Sequence, residues 1–240
     1  MNYEAVISCA PVPWPGGHSF LLQEVGPKKV IEHWSDALTE ASHSLTLCMN
    51  EPDHALLDYI SSSFPLSKRV SVRLNVPPEA AEGCSFFETD GSIKLRSGAT
   101  LQPFLPASNP AEVWFRVVKR WLEELETKGS SLPEIETQPT PGVVVGHHCR
   151  ISPDTQLIPP CWIGNRATLR SCTIGPFAAV GEKSIVSQKT RITNSYVKSG
   201  TFVGEGLCLD GLVVGGKEYL SIARDEQRKL SIPPCFVRFE

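Results

Sequence analysis

Residues 143–216 of this chain read VVVGHHCRISPDTQLIPPCWIGNRATLRSCTIGPFAAVGEKSIVSQKTRITNSYVKSGTFVGEGLCLDGLVVGG. An aliphatic side chain recurs thirteen times in this stretch, at steps of six residues with three steps of five. Neither an α-helix, which repeats every 3.6 residues, nor an ordinary strand, which repeats every 2, produces this spacing. The recurring residues are Val145, Ile151, Leu157, Ile163, Leu169, Ile174, Val180, Val186, Ile192, Val197, Val203, Leu209 and Val214.

A period of six is typical of the hexapeptide β-helix, in which each hexad forms one short strand and one corner of a coil. A glycine, which turns a corner without a steric penalty, directly follows the aliphatic residue six times. Three hexads complete a coil, so the stretch holds about four coils. Each coil buries its open sides only when another coil stacks on it. We therefore predict a left-handed parallel β-helix over residues 143–216.

Composition limits the classes of function. Hydrophobic residues make up 41 % and charged residues 20 % of the chain, as in ordinary soluble globular proteins. The net charge is −3 and basic residues do not cluster, so nucleic acid is not an expected partner. Apolar runs are too short to cross a membrane, and the N-terminus lacks the basic region of a signal peptide. We expect a cytoplasmic protein.

The eight cysteines are expected to be free thiols, as is usual in a reducing compartment. No two of them have the C-x-x-C spacing of a zinc site. The sequence therefore predicts no metal site.

The first 129 residues alternate strand and helix patterns. Strands are predicted over 4–10, 45–49 and 70–76, with helices over 28–41 and after a cap at Asn50. Residues 89–91, Thr-Asp-Gly, predict a hairpin turn. A long amphipathic helix begins after Asn109 and ends at Gly129. This order predicts a small α/β domain with parallel strands.

The predicted organisation is an α/β domain over 1–129, a linker over 130–142, the β-helix over 143–216 and a cap over 217–240. The cap is expected to contain a helix over Glu218–Leu230 and a strand over Cys235–Phe239. Flat solenoid faces commonly carry subunit contacts, so we expect a homo-oligomer, with a trimer favoured. The apolar side chains expected on these faces are Phe177, Tyr196 and Phe202.

Three segments resemble the sugar-phosphate nucleotidyltransferases, also called NDP-sugar pyrophosphorylases. They are Val25–Trp34 (VGPKKVIEHW), Asn109–Trp114 (NPAEVW) and Arg191–Glu205 (RITNSYVKSGTFVGE). The resemblance implies a Rossmann-like α/β domain followed by a left-handed β-helix. It also implies a sugar nucleotide or sugar phosphate as ligand, with Mg²⁺ if the protein is catalytically active. The candidate ligand-binding residues are Gly16, Gly17, Lys28 and Lys29.

The segment Pro13–Phe20 (PWPGGHSF) departs from the family's phosphate loop, G-x-G-T-R-L, and retains only a glycine pair. The α/β region is also shorter than the family's catalytic domain. We therefore expect a reduced nucleotidyltransferase-like protein of sugar-nucleotide or surface-polysaccharide metabolism. Its pyrophosphorylase activity is expected to be weak or absent, and it would oligomerise through the β-helix.

Two alternatives remain open from the sequence. One is an active, small nucleotidyltransferase in which Lys28 and Lys29 hold the phosphates. The other is a hexapeptide acyltransferase that uses CoA or acyl carrier protein. Enzymes of that kind use a histidine on a coil as general base, and the candidates here are His147 and His148.

Overall fold

The computed structural model describes residues 3–9, 20–40, 43–49, 52–63, 66–74, 86–87, 93–94, 100–101, 110–128, 135–215, 218–222, 227–229 and 236–238. The chain divides by its internal contacts into two compact units, Met1–Trp114 and Phe115–Glu240. The division falls inside the long helix Pro110–Lys128, whereas the predicted linker covers residues 130–142.

The first unit contains a three-stranded parallel sheet. Its strands, Tyr3–Cys9, His43–Met49 and Val70–Leu74, pair side by side in that order, with Leu47 opposite both Ile7 and Val72. This confirms the predicted parallel strands and the helices between them, but it does not identify the nucleotidyltransferase type of domain. The elements are β1 (Tyr3–Cys9), a 3-10 helix (Phe20–Leu22), β2 (Glu24–Val25), β3 (Lys28–Lys29), α1 (Val30–Glu40), β4 (His43–Met49), α2 (His54–Ser62), α3 (Leu66–Arg69) and β5 (Val70–Leu74).

Helix α2 begins later than the sequence suggested. Its N-cap is Asp53, whose side chain accepts a hydrogen bond of 3.1 Å from the Leu56 N–H. The prediction of Asn50 as the cap was wrong, because an aspartate directly before the helix satisfies the same unpaired N–H group.

The remaining elements of this region are β6 (Phe86–Phe87), β7 (Ile93–Lys94), β8 (Thr100–Leu101) and α4 (Pro110–Lys128). Strands β6 and β7 are antiparallel, with Phe86 opposite Lys94, as the hairpin prediction requires. The turn between them lies outside the described residues. Helix α4 confirms the predicted amphipathic helix and begins with proline at its first position.

The second unit is a β-solenoid of about four coils, which fits the predicted left-handed β-helix. Residues paired on the parallel strands of neighbouring coils are 17 or 18 positions apart, as Val145 and Ile163 are and as Ile163 and Val180 are. The strands of sheet I are β10 (Val143–Gly146), β13 (Cys161–Ile163), β16 (Ala178–Val180), β19 (Tyr196–Val197) and β22 (Leu212–Gly215). Those of sheet II are β11 (Arg150–Ile151), β14 (Thr168–Leu169), β17 (Ile185–Val186) and β20 (Thr201–Val203). Those of sheet III are β12 (Gln156–Leu157), β15 (Thr173–Ile174), β18 (Arg191–Thr193) and β21 (Cys208–Asp210).

The recurring aliphatic residues line the interior of the solenoid, as predicted. Ile163, Val180, Val197 and Val214 form one continuous stack, and all four are fully buried. Ile151 and Leu157 in the first coil are partly buried but pack against the same core. Because the hydrophobic contribution scales with buried apolar area, this core is the main source of stability of the unit.

Additional strands pair with both ends of the solenoid. Strand β9 (Ile135–Thr140) is antiparallel to β10, although the sequence assigned these residues to a linker. Strands β23 (Glu218–Ser221) and β24 (Gln227–Lys229) extend sheet I, so the predicted helix over Glu218–Leu230 was wrong. Strand β25 (Phe236–Arg238) pairs with β20 and confirms the predicted final strand. These strands satisfy backbone groups that a bare sheet edge leaves unpaired.

Helix α4 packs on the outer side of sheet I. The rings of Trp121 on the helix and Trp162 on the sheet meet edge to face, with centroids 5.5 Å apart. Outward-facing Val144, Ala179 and Tyr196 on the same side are fully buried. Tyr196 is therefore part of the packing of sheet I, and its predicted role as an exposed subunit contact was wrong.

Candidate functional site at the first corner of the solenoid

The ligand-binding residues predicted in the first unit are engaged with other side chains or lie outside the described residues. Gly16 and Gly17 lie outside the described residues. Lys28 Nζ lies 2.7 Å from the Asp36 carboxylate. Lys29 Nζ lies 3.8 Å above the ring centroid of Tyr59. The two lysines form strand β3, directly before helix α1, and both cationic groups are used within the chain.

Two further side chains near these lysines have shifted pKa values. Burial lowers the pKa of His33, whose ring nitrogen Nε2 lies 2.8 Å from the Val25 carbonyl oxygen. Burial, with the nearby Glu32 carboxylate, raises the pKa of Tyr59 to about 12. Both groups are therefore neutral at physiological pH, and these shifts indicate a packed structural network.

His147 and His148 lie at the first corner, which we define as the turn between sheet I and sheet II in each coil. His147 is partly buried and His148 is exposed. Their ring centroids are 6.3 Å apart. His148 has a φ of 60°, a left-handed conformation that recurs one coil further on at Arg166 and then at Lys183. The structure thus places both predicted histidines at a turn between two sheets.

The position of His147 carries a polar side chain in each of the next three coils. We call this set the polar ladder, and its members are His147, Asn165, Glu182 and Ser199. The His147 backbone N–H donates to Asn165 Oδ1 at 2.7 Å, and Asn165 Nδ2 donates to Glu182 Oε1 at 3.1 Å. The Glu182 backbone N–H donates to Ser199 Oγ at 3.2 Å. These hydrogen bonds hold the Asn165 amide and the Glu182 carboxylate beside the backbone that carries His147.

A glycine precedes the ladder residue in the first three coils because the next coil passes very close to it. A Cβ atom on Gly146 would lie 2.5 Å from Asn165 Oδ1. On Gly164 it would lie 2.7 Å from the Glu182 nitrogen. Both distances are shorter than real Cβ contacts, so these glycines permit the close stacking that brings His147 against Asn165.

The polar partners of His147 are not recognisable from the sequence alone. Asn165, Glu182 and Ser199 are 17 or 18 residues apart, so no local motif connects them. Writing the coils beneath one another in the observed register aligns all three with His147. The exposed Arg166 and Lys183 align with His148 in the neighbouring column.

The two buried cysteines of the solenoid, Cys161 and Cys172, are poorly suited to act as nucleophiles. Burial raises the pKa of Cys161 to about 12 and that of Cys172 to about 11, so both remain thiols. Cys149 Sγ lies 3.1 Å from the Gly164 carbonyl oxygen. Within the described residues, no three His, Cys, Asp or Glu side chains come together as potential metal ligands.

No helix in the described part of the chain is both long and apolar enough to span a membrane.

Comparisons with known proteins do not place the chain in a family. No protein-family model and no curated protein matches it. Among solved structures, it is similar to the acetyltransferase domain of PglB from Neisseria gonorrhoeae FA1090 in complex with acetyl coenzyme A. The identity is 13 %, the match covers 96 % of this chain and 100 % of that domain, and the TM-score is 0.25. A second structure of the same PglB domain matches at 12 % identity over 95 % of this chain and 100 % of that domain, also with a TM-score of 0.25. Similarity at this level assigns no activity to the chain.

Proposed function

We propose that this chain is an acyltransferase of the hexapeptide-repeat type, with His147 as general base. The observation that supports the proposal is the position of His147. His147 is partly buried at a solenoid corner, and its backbone N–H donates to Asn165, whose amide in turn donates to Glu182. An imidazole is the side chain best suited to accept and release a proton near neutral pH.

The proposed reaction transfers an acyl group from a thioester to an amine or hydroxyl. His147 takes the proton from the acceptor as its nitrogen or oxygen attacks the thioester carbonyl. The tetrahedral intermediate then collapses, the carbon–sulfur bond breaks, and the imidazolium returns the proton to the departing thiolate. The products are an amide or ester and a free thiol, so the reaction needs no metal or redox partner.

The donor in this proposal is CoA or acyl carrier protein, and the acceptor class to test first is the amino sugars. We also propose a homotrimer, because hexapeptide acyltransferases place the base in a cleft between neighbouring subunits. Sedimentation should then give three times the mass of one chain. A single-chain mass would contradict the trimer.

The deciding experiment is to incubate the protein with acetyl-CoA and a panel of amino-sugar acceptors, and to measure acetylated product by mass spectrometry. Replacing His147 by Ala should lower kcat/KM by about 10²- to 10⁴-fold. His54, which is exposed on α2 in the first unit, provides the control, and His54→Ala should retain full activity. Product formation by His147→Ala at the wild-type rate would remove the proposed base.

A second proposal concerns the first unit, whose parallel sheet β1-β4-β5 is compatible with binding a sugar nucleotide. In this proposal the unit binds the ligand without efficient pyrophosphorylase turnover, and Mg²⁺ would be required only for turnover. Calorimetry with NDP-sugars and nucleoside triphosphates tests it. Binding of none of them would leave this unit without the proposed ligand.

A further inference from the structure

His147 is held through both of its backbone polar groups by the next coil. Its N–H donates to Asn165 Oδ1 at 2.7 Å, and its carbonyl oxygen accepts a hydrogen bond of 2.8 Å from the Arg166 N–H. The carbonyl contact is between backbone atoms and recurs one coil later, where the Lys183 N–H donates to the Asn165 carbonyl oxygen at 2.9 Å. The contact of the His147 N–H depends instead on a side chain, so the residue at position 165 decides whether His147 is held at both ends.

The amide of Asn165 satisfies both of its partners in one orientation only. The His147 N–H is a donor and needs the amide oxygen, whereas the Glu182 carboxylate is an acceptor and needs the amide nitrogen. Asn165 Nδ2 donates to Glu182 Oε1 at 3.1 Å, as this pairing requires. Exchanging the two ends of the amide would set a donor against a donor and an acceptor against an acceptor. Glu182 therefore fixes which end of the Asn165 amide faces His147.

Close packing and partial burial keep these three residues together. A Cβ atom on Gly146 would lie 2.5 Å from Asn165 Oδ1 and 2.8 Å from the Asn165 nitrogen, so the amide lies directly against the backbone that leads into His147. His147, Asn165 and Glu182 are all partly buried, and a hydrogen bond shielded from water is stronger than one at an exposed surface. Glu182 is itself anchored, because its N–H donates to Ser199 Oγ at 3.2 Å.

We propose that Glu182 is a positioning residue for His147 and acts through the Asn165 amide. Its role in catalysis rests on the proposed acyltransferase function, in which His147 is the general base. Proton transfer requires the base to lie within hydrogen-bond reach of the acceptor group, and a displacement of about 1 Å in an active site can lower a rate by about 10²-fold. Neither Asn165 nor Glu182 has to touch the substrate for this effect.

The test exchanges the amide and the carboxylate of the pair. Asn165→Asp keeps an acceptor for the His147 N–H, but it sets two carboxylates against each other. Adding Glu182→Gln removes this repulsion, because the glutamine amide nitrogen donates to the new carboxylate. The double variant Asn165→Asp/Glu182→Gln therefore preserves both hydrogen bonds, with the donor and acceptor roles of the pair reversed.

The kinetic measurement is acetyl transfer from acetyl-CoA to the amino-sugar acceptors. Asn165→Asp should lower kcat by about tenfold or more and leave the KM for acetyl-CoA nearly unchanged. The double variant should recover to within about threefold of the wild type, because the two residues act as one unit and their effects are not additive.

The matched control is Asn194→Asp. Asn194 Nδ2 donates to Asp210 Oδ1 at 3.0 Å, at the corner between sheet III and sheet I. This variant creates the same repulsion between carboxylates at a different corner from His147, so its kcat should equal that of the wild type. Circular dichroism should show that all variants are folded.

A second measurement tests the positioning contact without any activity. In NMR of deuterated protein, a scalar coupling across the hydrogen bond should connect the His147 amide nitrogen to the side-chain carbonyl carbon at position 165, in the wild type and in the double variant. Absence of this coupling in the wild type would overturn the proposal. An unchanged kcat for Asn165→Asp, an equal loss for Asn194→Asp, or no recovery in the double variant would also overturn it.

The positioning proposal and the proposed function fail separately. Acetyl transfer by the wild type without the coupling removes only the positioning role of Glu182. The coupling without transfer from any thioester removes the acyltransferase function and the catalytic role, whereas the contact that holds His147 in place would be established.

Discussion

Replacing Gly181 by Ala should destabilise the solenoid by forcing two coils apart. A Cβ atom at this position would lie 2.4 Å from the Ser199 nitrogen, 2.7 Å from the Ser199 Cα and 2.8 Å from the Lys198 carbonyl carbon. All three atoms belong to the backbone of the next coil, so no side-chain rotation relieves the overlap. The Gly181 N–H also donates to the Val197 carbonyl oxygen at 2.7 Å, and this hydrogen bond lies across the same gap.

The closest of these contacts is about 1 Å shorter than an ordinary van der Waals contact. Overpacking of this kind destabilises a folded protein by about 1–3 kcal/mol. The loss of unfolded-state entropy on going from glycine to alanine offsets less than about 1 kcal/mol. The net loss is therefore about 1–2 kcal/mol. For a chain of this length, each kcal/mol lowers Tm by about 2–4 °C, so a decrease of about 2–8 °C is expected.

Gly206 supplies the control for this measurement. It has a φ of +71°, but a Cβ atom there would meet nothing within 4 Å. The same corner carries Ser171 and Lys189 at positive φ in earlier coils, so the fold already accommodates side chains at this position. Thermal unfolding followed by circular dichroism should show a Tm for Gly206→Asn close to that of the wild type. Equal Tm values for Gly181→Ala and wild type, or an equal loss for Gly206→Asn, would refute the reasoning.

Three further predictions follow from burial. Trp162→Ala should lower the free energy of unfolding by about 3–5 kcal/mol in urea titrations, because its ring is buried between sheet I and α4; a loss below about 1 kcal/mol would contradict this packing. Iodoacetamide at mildly alkaline pH should alkylate the exposed Cys208 but not the buried Cys161, whose pKa is raised to about 12. Peptide mapping by mass spectrometry measures the modification, and alkylation of Cys161 to the same extent as Cys208 would contradict its burial. Burial lowers the pKa of His33, so the unfolded chain binds a proton at this residue before the folded chain does as the pH falls, and the stability that His33 contributes should be present above the ordinary pKa of 6.5 and lost below it. In measurements of Tm against pH, His33→Gln should therefore lose less stability at low pH than the wild type. The same pH dependence in both proteins would exclude His33 as the cause.

The interior of the solenoid was predictable because one side chain in each hexad is forced inwards. Leu169 and Ile174, for example, are separated by a five-residue step, yet both remain fully buried. The spacing therefore predicted the fold even where a corner is one residue shorter. The parallel strands of the first unit were also predictable, because short apolar runs alternate along the sequence with segments that have helical periodicity.

The helix predicted in the C-terminal cap was wrong because tertiary pairing overrides local preference there. Residues 218–230 contain several good helix formers, but Leu220 pairs with Val213 on the free edge of sheet I. Residues 135–140 have no clear periodicity, and they become β9 because β10 offers a free edge of its own. A local pattern does not reveal which edges remain open after the coils have stacked.

The candidate site was only partly predictable from the sequence. The histidines at 147 and 148 were identifiable as polar residues at a corner. Their neighbours Asn165, Glu182 and Arg166 come from later coils, and their proximity depends on a register of 17 or 18 residues. A shift of one residue in that register would move every outward side chain to a different neighbour.

The most direct test of the stacked-coil structure is the detection of hydrogen-bond scalar couplings between coils by NMR on deuterated protein. The structure predicts couplings from the Gly164 amide to the Val180 carbonyl, from Gly181 to Val197 and from Lys198 to Val214, whose donor–acceptor distances are 2.7–2.9 Å. Observation of all three would establish parallel coils in the proposed register. Couplings from these amides to carbonyls four residues earlier, as in a helix, would contradict the solenoid and the site built on it.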